Sequence, residues 1–470
     1  MSALVMKFGG TSVGSAEAID QTTDIVLDYA HKWDRLVVVV SAMSGVTDAL
    51  IESAQTAVTE KEEVFCNIIA GLRTKHHDTI KTLLPQNGER DRLLTTVDQL
   101  LDELTAFCHS IHILGEVTPR ALDAITAMGE RMSARIVAAA LRHKGAKSES
   151  VDATQLIVTD DKYQNAAPLM DKTRAKVQER LVPLLEDGVV PVVTGFIGAT
   201  EEGVTTTLGR GGSNYSVAIL ADCLDADEAW NWTNVDGVLT ADPRLVADAR
   251  VIPTLSYSEM GELAYFGAKV LHPKTILPLI QRDIPLVVKN TFNPAATGTR
   301  VVGRSEEIAG RIKAVTAIEG MSMVTVEGRG MLGVPGIAAR TFSAVAGQGA
   351  SVLMISQASS EQSICFVIPT PAVPSVIEAL EEEMERELAR RDIDKIWSLN
   401  DVVIVTAVGA GLRSTPGVAA KIFGALGQAS INVIAIAQGS SECNLSIVVA
   451  AGDAADSVQQ IHHEVIINGG

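Results

Sequence analysis

The chain reads as an α/β protein: the first two thirds carry the strands and helices of a buried sheet, and the last third carries one small unit twice. Three observations carry that reading. Continuous β-branched runs, Arg35 to Val40 and Val189 to Thr194, lack the polar alternation of half-exposed strands and mark strands covered on both faces, as in parallel sheets. Glycine turns leave these strands and open into helical patterns. A shift of 81 residues, without a gap, then lays thirteen identical positions between Pro335 and Ile368 on the segment that follows, which identifies a duplication.

At 470 residues the chain is too long for one ordinary domain, and about two to four are expected. An apolar fraction of 47% fills substantial cores, while 4% aromatic residues leaves little for stacking nucleic-acid bases. The net charge of −18 argues against a polyanionic partner, so no nucleic acid is expected, although a nucleotide needs only local positive charge. Cys66, Cys108, Cys223, Cys365 and Cys443 show neither CxxC spacing nor a histidine pattern. Reduced thiols and no metal site follow from that. The first strand begins almost at Met1 and no apolar run reaches membrane-spanning length, so a soluble, cytoplasmic protein without a membrane partner is expected.

The first strand, Ala3 to Phe8, runs into KFGGTSVG, Lys7 to Gly14. Gly9 and Gly10 let the backbone turn sharply and approach a ligand, Thr11 and Ser12 are candidate caps for the next helix, and Lys7 adds a mobile cation suited to a phosphate. The pattern is neither a Walker loop nor a dinucleotide fingerprint. By itself it serves equally well as a plain glycine turn with a lysine at a strand end. A helix over Ala16 to Lys32 and the strand Arg35 to Val40 lead to SAMSGVTDAL, where Ser41, Ser44 and Thr47 sit at a strand's carboxyl end, the place where open α/β sheets bind ligands.

Val58 to Ala140 is mostly helical pattern broken at Pro85 to Gly88, with His76 and His77 on a solvated face. Within it Glu130 follows Gly129, and a carboxylate there is either a surface charge or, if buried, one that needs a cationic partner such as an ammonium. The strand Val189 to Thr194 turns out through GFIG, Gly195 to Gly198, and a hairpin-like stretch, Glu201 to Thr207, leads to LGRGGSNYS. Gly209, Gly211 and Gly212 around Arg210 form a second anion loop: Arg210 can grip a carboxylate, and Ser213 is placed to cap the following helix. Beyond lie a strand ending at Thr233 and Asn234, turns at Asp236-Gly237 and Asp242-Pro243, the Lys269 and His272 of YFGAKVLHP, and a strand from Ile284 to Lys289.

KFGGTSVG, SAMSGVT, the Gly129-Glu130 pair, GFIG, LGRGGSNYS, TNVDGVLTADPR, GAKVLHPKT and KNTFNP stand in the order and spacing of the aspartate kinases, and on them the chain is identified as a member of the amino acid kinase family. The resemblance implies an open α/β/α sandwich around a mainly parallel sheet, over residues 1–303. It also implies transfer of the γ-phosphoryl of ATP, with its Mg2+, to the side-chain carboxylate of L-aspartate, the first step towards lysine, threonine and methionine. By similarity Lys7, Asn214 and Lys269 are catalytic, with the two lysines neutralising phosphate oxygens. The amides of Gly9, Gly10, Gly211 and Gly212 hold the transferring group. Arg210 takes the substrate α-carboxylate and Glu130 its ammonium, with Ser41, Thr47, Phe196 and Ser213 in the same pocket. Thr233, Asn234, Leu239, Asp242, Arg244 and Val270 hold the nucleotide. Three positions depart from the family pattern: Asn214 and Asn234 where aspartate is usual, and Leu239 where tyrosine is common.

In the C-terminal third each copy reads strand, Pro-Gly-capped helix, strand, turn, strand and helical stretch. That order resembles the ACT domain, a ferredoxin-like βαββαβ unit, here over 312–395 and 396–470, with the pairing of a last strand to the first unit left open. The resemblance implies feedback by an amino acid and a homodimer or higher assembly through these units. ISQASSEQSI and IAQGSSECNL are similar to the threonine-responsive class, which makes threonine the favoured effector over lysine and Gln357 and Gln438 its contacts. The dehydrogenase of the bifunctional members would begin where Gly470 ends the chain, so no second activity is expected. Two other readings stand beside this one: a catalytically weak amino-acid sensor, and a glutamate-directed kinase of the same fold.

Overall fold

The computed structural model describes residues 1–59, 61–266, 273–303, 311–331, 334–357, 362–438 and 443–468. The chain divides into two units, one built from residues 1–238, 251–257 and 270–305 and the other from 239–250, 258–269 and 306–470. Two segments that precede the expected boundary at 303 in sequence, 239–250 and 258–269, cluster with the C-terminal unit.

The first half of the chain supplies β1 (Ala3–Phe8), α1 (Ala16–Ala30), β2 (Arg35–Val40) and a run of four helices: α2 (Val46–Thr59), α3 (Glu62–Leu83), α4 (Gly88–Leu114) and α5 (Pro119–His143). After β3 (Ser148–Val151) and α6 (Met170–Glu186) come β4 (Val190–Thr194), a small hairpin of β5 (Ile197–Ala199) and β6 (Thr205–Thr207), α7 (Gly212–Cys223) and β7 (Glu228–Thr233). Then follow β8 (Thr254–Ser256), α8 (Tyr257–Tyr265), α9 (Leu277–Arg282), β9 (Leu286–Asn290) and β10 (Thr299–Val302).

Eight strands form one sheet in the order β3-β4-β2-β1-β7-β9-β10-β8. Its pairings are parallel except β9 with β10. The register sets Phe8 against Val40 and Trp232, and Val40 against Thr194, so β1, β2, β4 and β7 end level. The apolar runs behave as their composition predicts: Val37 to Val40 are all buried, and Phe8 stacks on Trp232 at 5.8 Å. The helix boundaries follow local chemistry. Asn87 caps α4, whose end is the left-handed Gly115, and Thr118 with Pro119 opens α5.

Two local expectations are corrected. His76 is fully buried rather than solvated, its Nδ1 bonded to the Leu72 carbonyl one turn back. The cap of α1 is Ser15, which accepts from the Ala18 amide, while Ser12 is buried against Thr291 at 2.7 Å.

The second unit holds β11 (Ala314–Glu327), α10 (Ile337–Gly347), β12 (Met354–Gln357), β13 (Ser363–Pro369), α11 (Val373–Glu383), α12 (Glu385–Arg390), β14 (Lys395–Val408), α13 (Val418–Gln428), β15 (Ala435–Ala437), β16 (Asn444–Ala450) and α14 (Ala454–His462). One six-stranded antiparallel sheet runs β12-β13-β11-β14-β16-β15. The duplication is visible in it, since Gly336 and Gly417 cap equivalent helices at φ 92° and 88°. Its two central strands are 14 residues long and shared. Ala314–Ile318 pairs with Ile404–Val408, and Val324–Glu327 with Lys395–Ser398. Each repeat thus takes its fourth strand from the first strand of the other, and the described residues after β16 are helical from 454 to 467. No last strand returns to the first repeat there; the opening residues of β14, Lys395–Ser398, fill that role for the first repeat, and those of β11, Ala314–Ile318, fill it for the second.

Candidate active site

The carboxyl ends of β1, β2 and β4 border a cleft of about 590 Å3 within the first unit, where an open parallel sheet is expected to bind a ligand. Lys7, near the end of β1, lines it, and burial alone pulls the pKa of its ammonium down to about 8. Its Nζ lies over Gly9, 3.2 Å from where a Cβ would stand. Glu130 enters from α5 and is 3% exposed. Its Oε1 accepts from the Ala42 amide at 3.1 Å, its Oε2 has no partner, and burial pushes the carboxyl up to about 8. The close approach of α5 requires Gly129, because a Cβ there would stand 2.7 Å from that of Ala42.

Opposite, Phe196 adopts φ 68° and tucks against Gly212, whose missing Cβ would lie 2.6 Å from the phenylalanine ring. The strained turn therefore brings GFIG against LGRGGS, and Phe196, exposed Arg210, Ser213 and Asn214 share the cleft with Ser41 and Thr47. The Asn214 Oδ1 is buried without a partner.

Three details differ from expectation. Gly9 and Gly212 do not offer free amides: the first donates to the Trp232 carbonyl at 3.2 Å and the second to that of Gly209 at 2.9 Å. Among these four glycines the amides of Gly10 and Gly211, both on the cleft, are the ones left for an anion. Ser213 is not a cap, because α7 starts from Gly211 in the left-handed region and Ser213 falls inside its first turn.

The nucleotide candidates divide between the two units. Thr233 and Asn234 close β7, bonded to each other at 3.3 Å. Leu239, Asp242 and Arg244 belong to the second unit, where Arg244 grips Asp242 with both Nε and Nη2. Lys269 and Val270 lie outside the described residues. Gln357, exposed on β12, lines a pocket of about 370 Å3 with Pro335 and Gly336, and Gln438 is exposed just after β15.

Sequence reasoning missed Asp123 and Gln164, which also line the cleft. The spacing of Asp123, seven residues before Glu130, is a helical-face signal. Nothing local marks Gln164, held at φ 68°. Among the described residues no cluster of three or more histidine, cysteine or acidic side chains is placed to hold a metal, and no helix is long and apolar enough to cross a membrane.

A parallel sheet with glycine turns and cations at its carboxyl rim belongs to the anion-binding α/β proteins. Residues 2–290 match the model of the amino acid kinase family, and 324–384 and 405–465 match that of the ACT domain. The chain is 33% identical to aspartokinase 1, chloroplastic, of Arabidopsis thaliana, covering 99% of this chain and 80% of that one. To the bifunctional aspartokinase/homoserine dehydrogenase 1, chloroplastic, of the same plant it is 38% identical, over 97% of this chain and 50% of the relative. The crystal structure of E. coli aspartokinase III in complex with aspartate and ADP superposes with a TM-score of 0.80 at 30% identity, covering 99% of this chain and all of that one. The chain belongs to the amino acid kinase family, within its aspartokinases, and carries tandem ACT domains. It spans about half the length of the bifunctional relatives it matches.

Proposed function

We propose that the chain is an aspartate kinase, phosphorylating the side-chain carboxylate of L-aspartate with ATP to give 4-phospho-L-aspartate. The observation that carries this reading is the bare Oε2 of Glu130, a buried carboxylate oxygen on a cleft that also holds Lys7 and Arg210. A buried, half-satisfied carboxylate calls for a cation, and a substrate ammonium supplies one while it is bound. Arg210 then takes the α-carboxylate in a bidentate pair. A side-chain carboxylate is already ionised near neutrality, so the reaction needs no general base. One of its oxygens attacks the γ-phosphorus, the bond to the β,γ-bridging oxygen breaks, and ADP leaves with that electron pair. Lys7 neutralises oxygens whose charge shifts in this step, with Lys269 as its proposed partner, and the Gly10 and Gly211 amides hold the phosphoryl group. Mg2+ would arrive with ATP, bound through the nucleotide phosphates and water, as this hard and reluctantly dehydrated ion usually is. Asn214 fills its position with an amide able to donate and accept hydrogen bonds to a ligand but without a charge.

The ACT pair is proposed to carry feedback by an amino acid, threonine in preference to lysine, at Gln357 and Gln438, and to join copies of the chain into a dimer or larger assembly. E. coli aspartokinase III, whose structure is also known with lysine and aspartate, supports an amino-acid effector in general. The competing reading, a catalytically weak sensor, is favoured by Asn214 and Asn234. ADP release measured with aspartate, glutamate or buffer, each with and without threonine or lysine, tests all of this. Aspartate-dependent release inhibited by threonine is expected. Release with glutamate alone, or none, overturns the kinase reading, and inhibition by lysine alone overturns the effector. The Asn214→Asp variant should change the rate by no more than about tenfold, since no base is lost or gained. Activity that appears only in that variant identifies the sensor.

A further inference from the structure

Asp123 lies two helical turns before Glu130 on α5 and is 1% exposed. Its carboxylate is fully engaged by neutral donors. Oδ1 accepts from Thr207 Oγ1 at 2.8 Å, Oδ2 from the Thr207 amide at 3.0 Å, and both from the Gln164 amide at 3.1 and 3.0 Å. Held by three donors of the protein itself, Asp123 is committed to structure, although it borders the cleft.

What those donors belong to is informative. Phe196 immediately precedes β5, and Arg210 stands three residues beyond Thr207, the end of β6, so the hairpin carries a cleft residue at each end. It is fastened to α5 at a second point, where Arg131 reaches Thr205 Oγ1 at 3.2 Å while pairing with Asp152 at 2.8 Å. Gln164, strained at φ 68°, belongs to a loop that braces the same strand, with the Ala166 amide donating to the Thr207 carbonyl at 2.9 Å.

We infer that Asp123 is a positioning residue for the amino-acid substrate: by tying the end of β6 to the helix that bears Glu130, it sets the span between Glu130 and Arg210 across which the ammonium and α-carboxylate of one molecule are gripped. This rests on the kinase reading of the cleft. A misplacement of about 1 Å at such a grip is enough to weaken binding and orientation markedly.

The test compares Asp123→Asn, Thr207→Val and Thr207→Ser with the unaltered chain. Asparagine turns an NH2 towards donors that need an acceptor, valine deletes the hydroxyl, and serine keeps it. The KM for aspartate should rise about tenfold in D123N and about threefold in T207V, with the KM for ATP within about twofold and T207S near the unaltered protein. Amide hydrogen exchange over residues 208–213 should quicken in D123N and T207V but not in T207S. An unchanged aspartate KM in folded D123N, or KM values for ATP and aspartate that rise together, overturns the inference. If D123N does not fold, the contrast between T207V and T207S decides it. Absence of aspartate-dependent ADP release in the unaltered chain counts against the kinase reading instead, and the exchange data then judge the fastening alone: no quickening overturns it.

Discussion

Two buried glutamates, one in each unit, sit in opposite circumstances. Glu259 on α8 is fully buried, and its Oε2 meets Lys313 Nζ at 3.0 Å while its Oε1 accepts from the Ala410 amide at 2.9 Å. Glu130 on α5 is almost as deep, yet it has one amide and a bare oxygen. The lysines divide in the same way: Lys313 is paired with Glu259, whereas burial alone acts on Lys7. Withdrawing an ion from water costs several kcal/mol, on the order of what a whole domain has to spare, unless a partner offsets it. A paired buried charge therefore holds one segment to another, here Glu259 on α8 to Lys313 just before β11. An unpaired one is a standing cost that a ligand can relieve, which supports the cleft as the proposed working site.

The largest expected effect removes the unpaired cation. Lys7→Met should lower ADP release by about a thousandfold, as loss of a charge aimed at the reacting phosphoryl group does, with no loss of stability in urea unfolding. Activity within tenfold of the unaltered chain would break the contrast. Removing the paired anion should do the reverse: Glu259→Ala deletes one end of a buried ion pair and should cost about 3 kcal/mol of stability by the same measurement. A change too small to resolve would mean that the pair holds nothing.

The third test uses pH. The folded-state pKa of Glu130, about 8, lies above its ordinary 4.5, so on raising the pH the unfolded chain ionises first and stability drains away between those values. Glu130→Gln has no such proton to lose. Its stability advantage over the unaltered chain should widen from pH 4.5 to pH 8 and then level off. A constant difference across that range would show that Glu130 has found a partner in solution.

Much of this arrangement was legible in the residues. The β-branched runs marked the buried strands, KFGGTSVG and LGRGGS marked turns at strand ends, and the 81-residue shift marked the repeat. What escaped were features decided by contact. Ser12 looked like a cap, but its hydroxyl is drawn to Thr291, 279 residues away, and Ser15 caps instead. His76 stands in a charged stretch, yet helix packing buries it. Gly9 and Gly212 looked like free donors, but carbonyls brought by the fold claim their amides. The segments 239–250 and 258–269 show no shift in composition, and hydrogen bonds such as Thr240 with His462 at 2.9 Å place them in the second unit.

Local chemistry alone settled where strands stop, where the backbone can turn and that one unit is written twice, because each depends on neighbours along the chain. Which buried charges are matched and which are left bare was decided only by folding. Pairing requires atoms to meet at about 3 Å, and the partners come from segments whose separation in sequence says nothing of their distance in space.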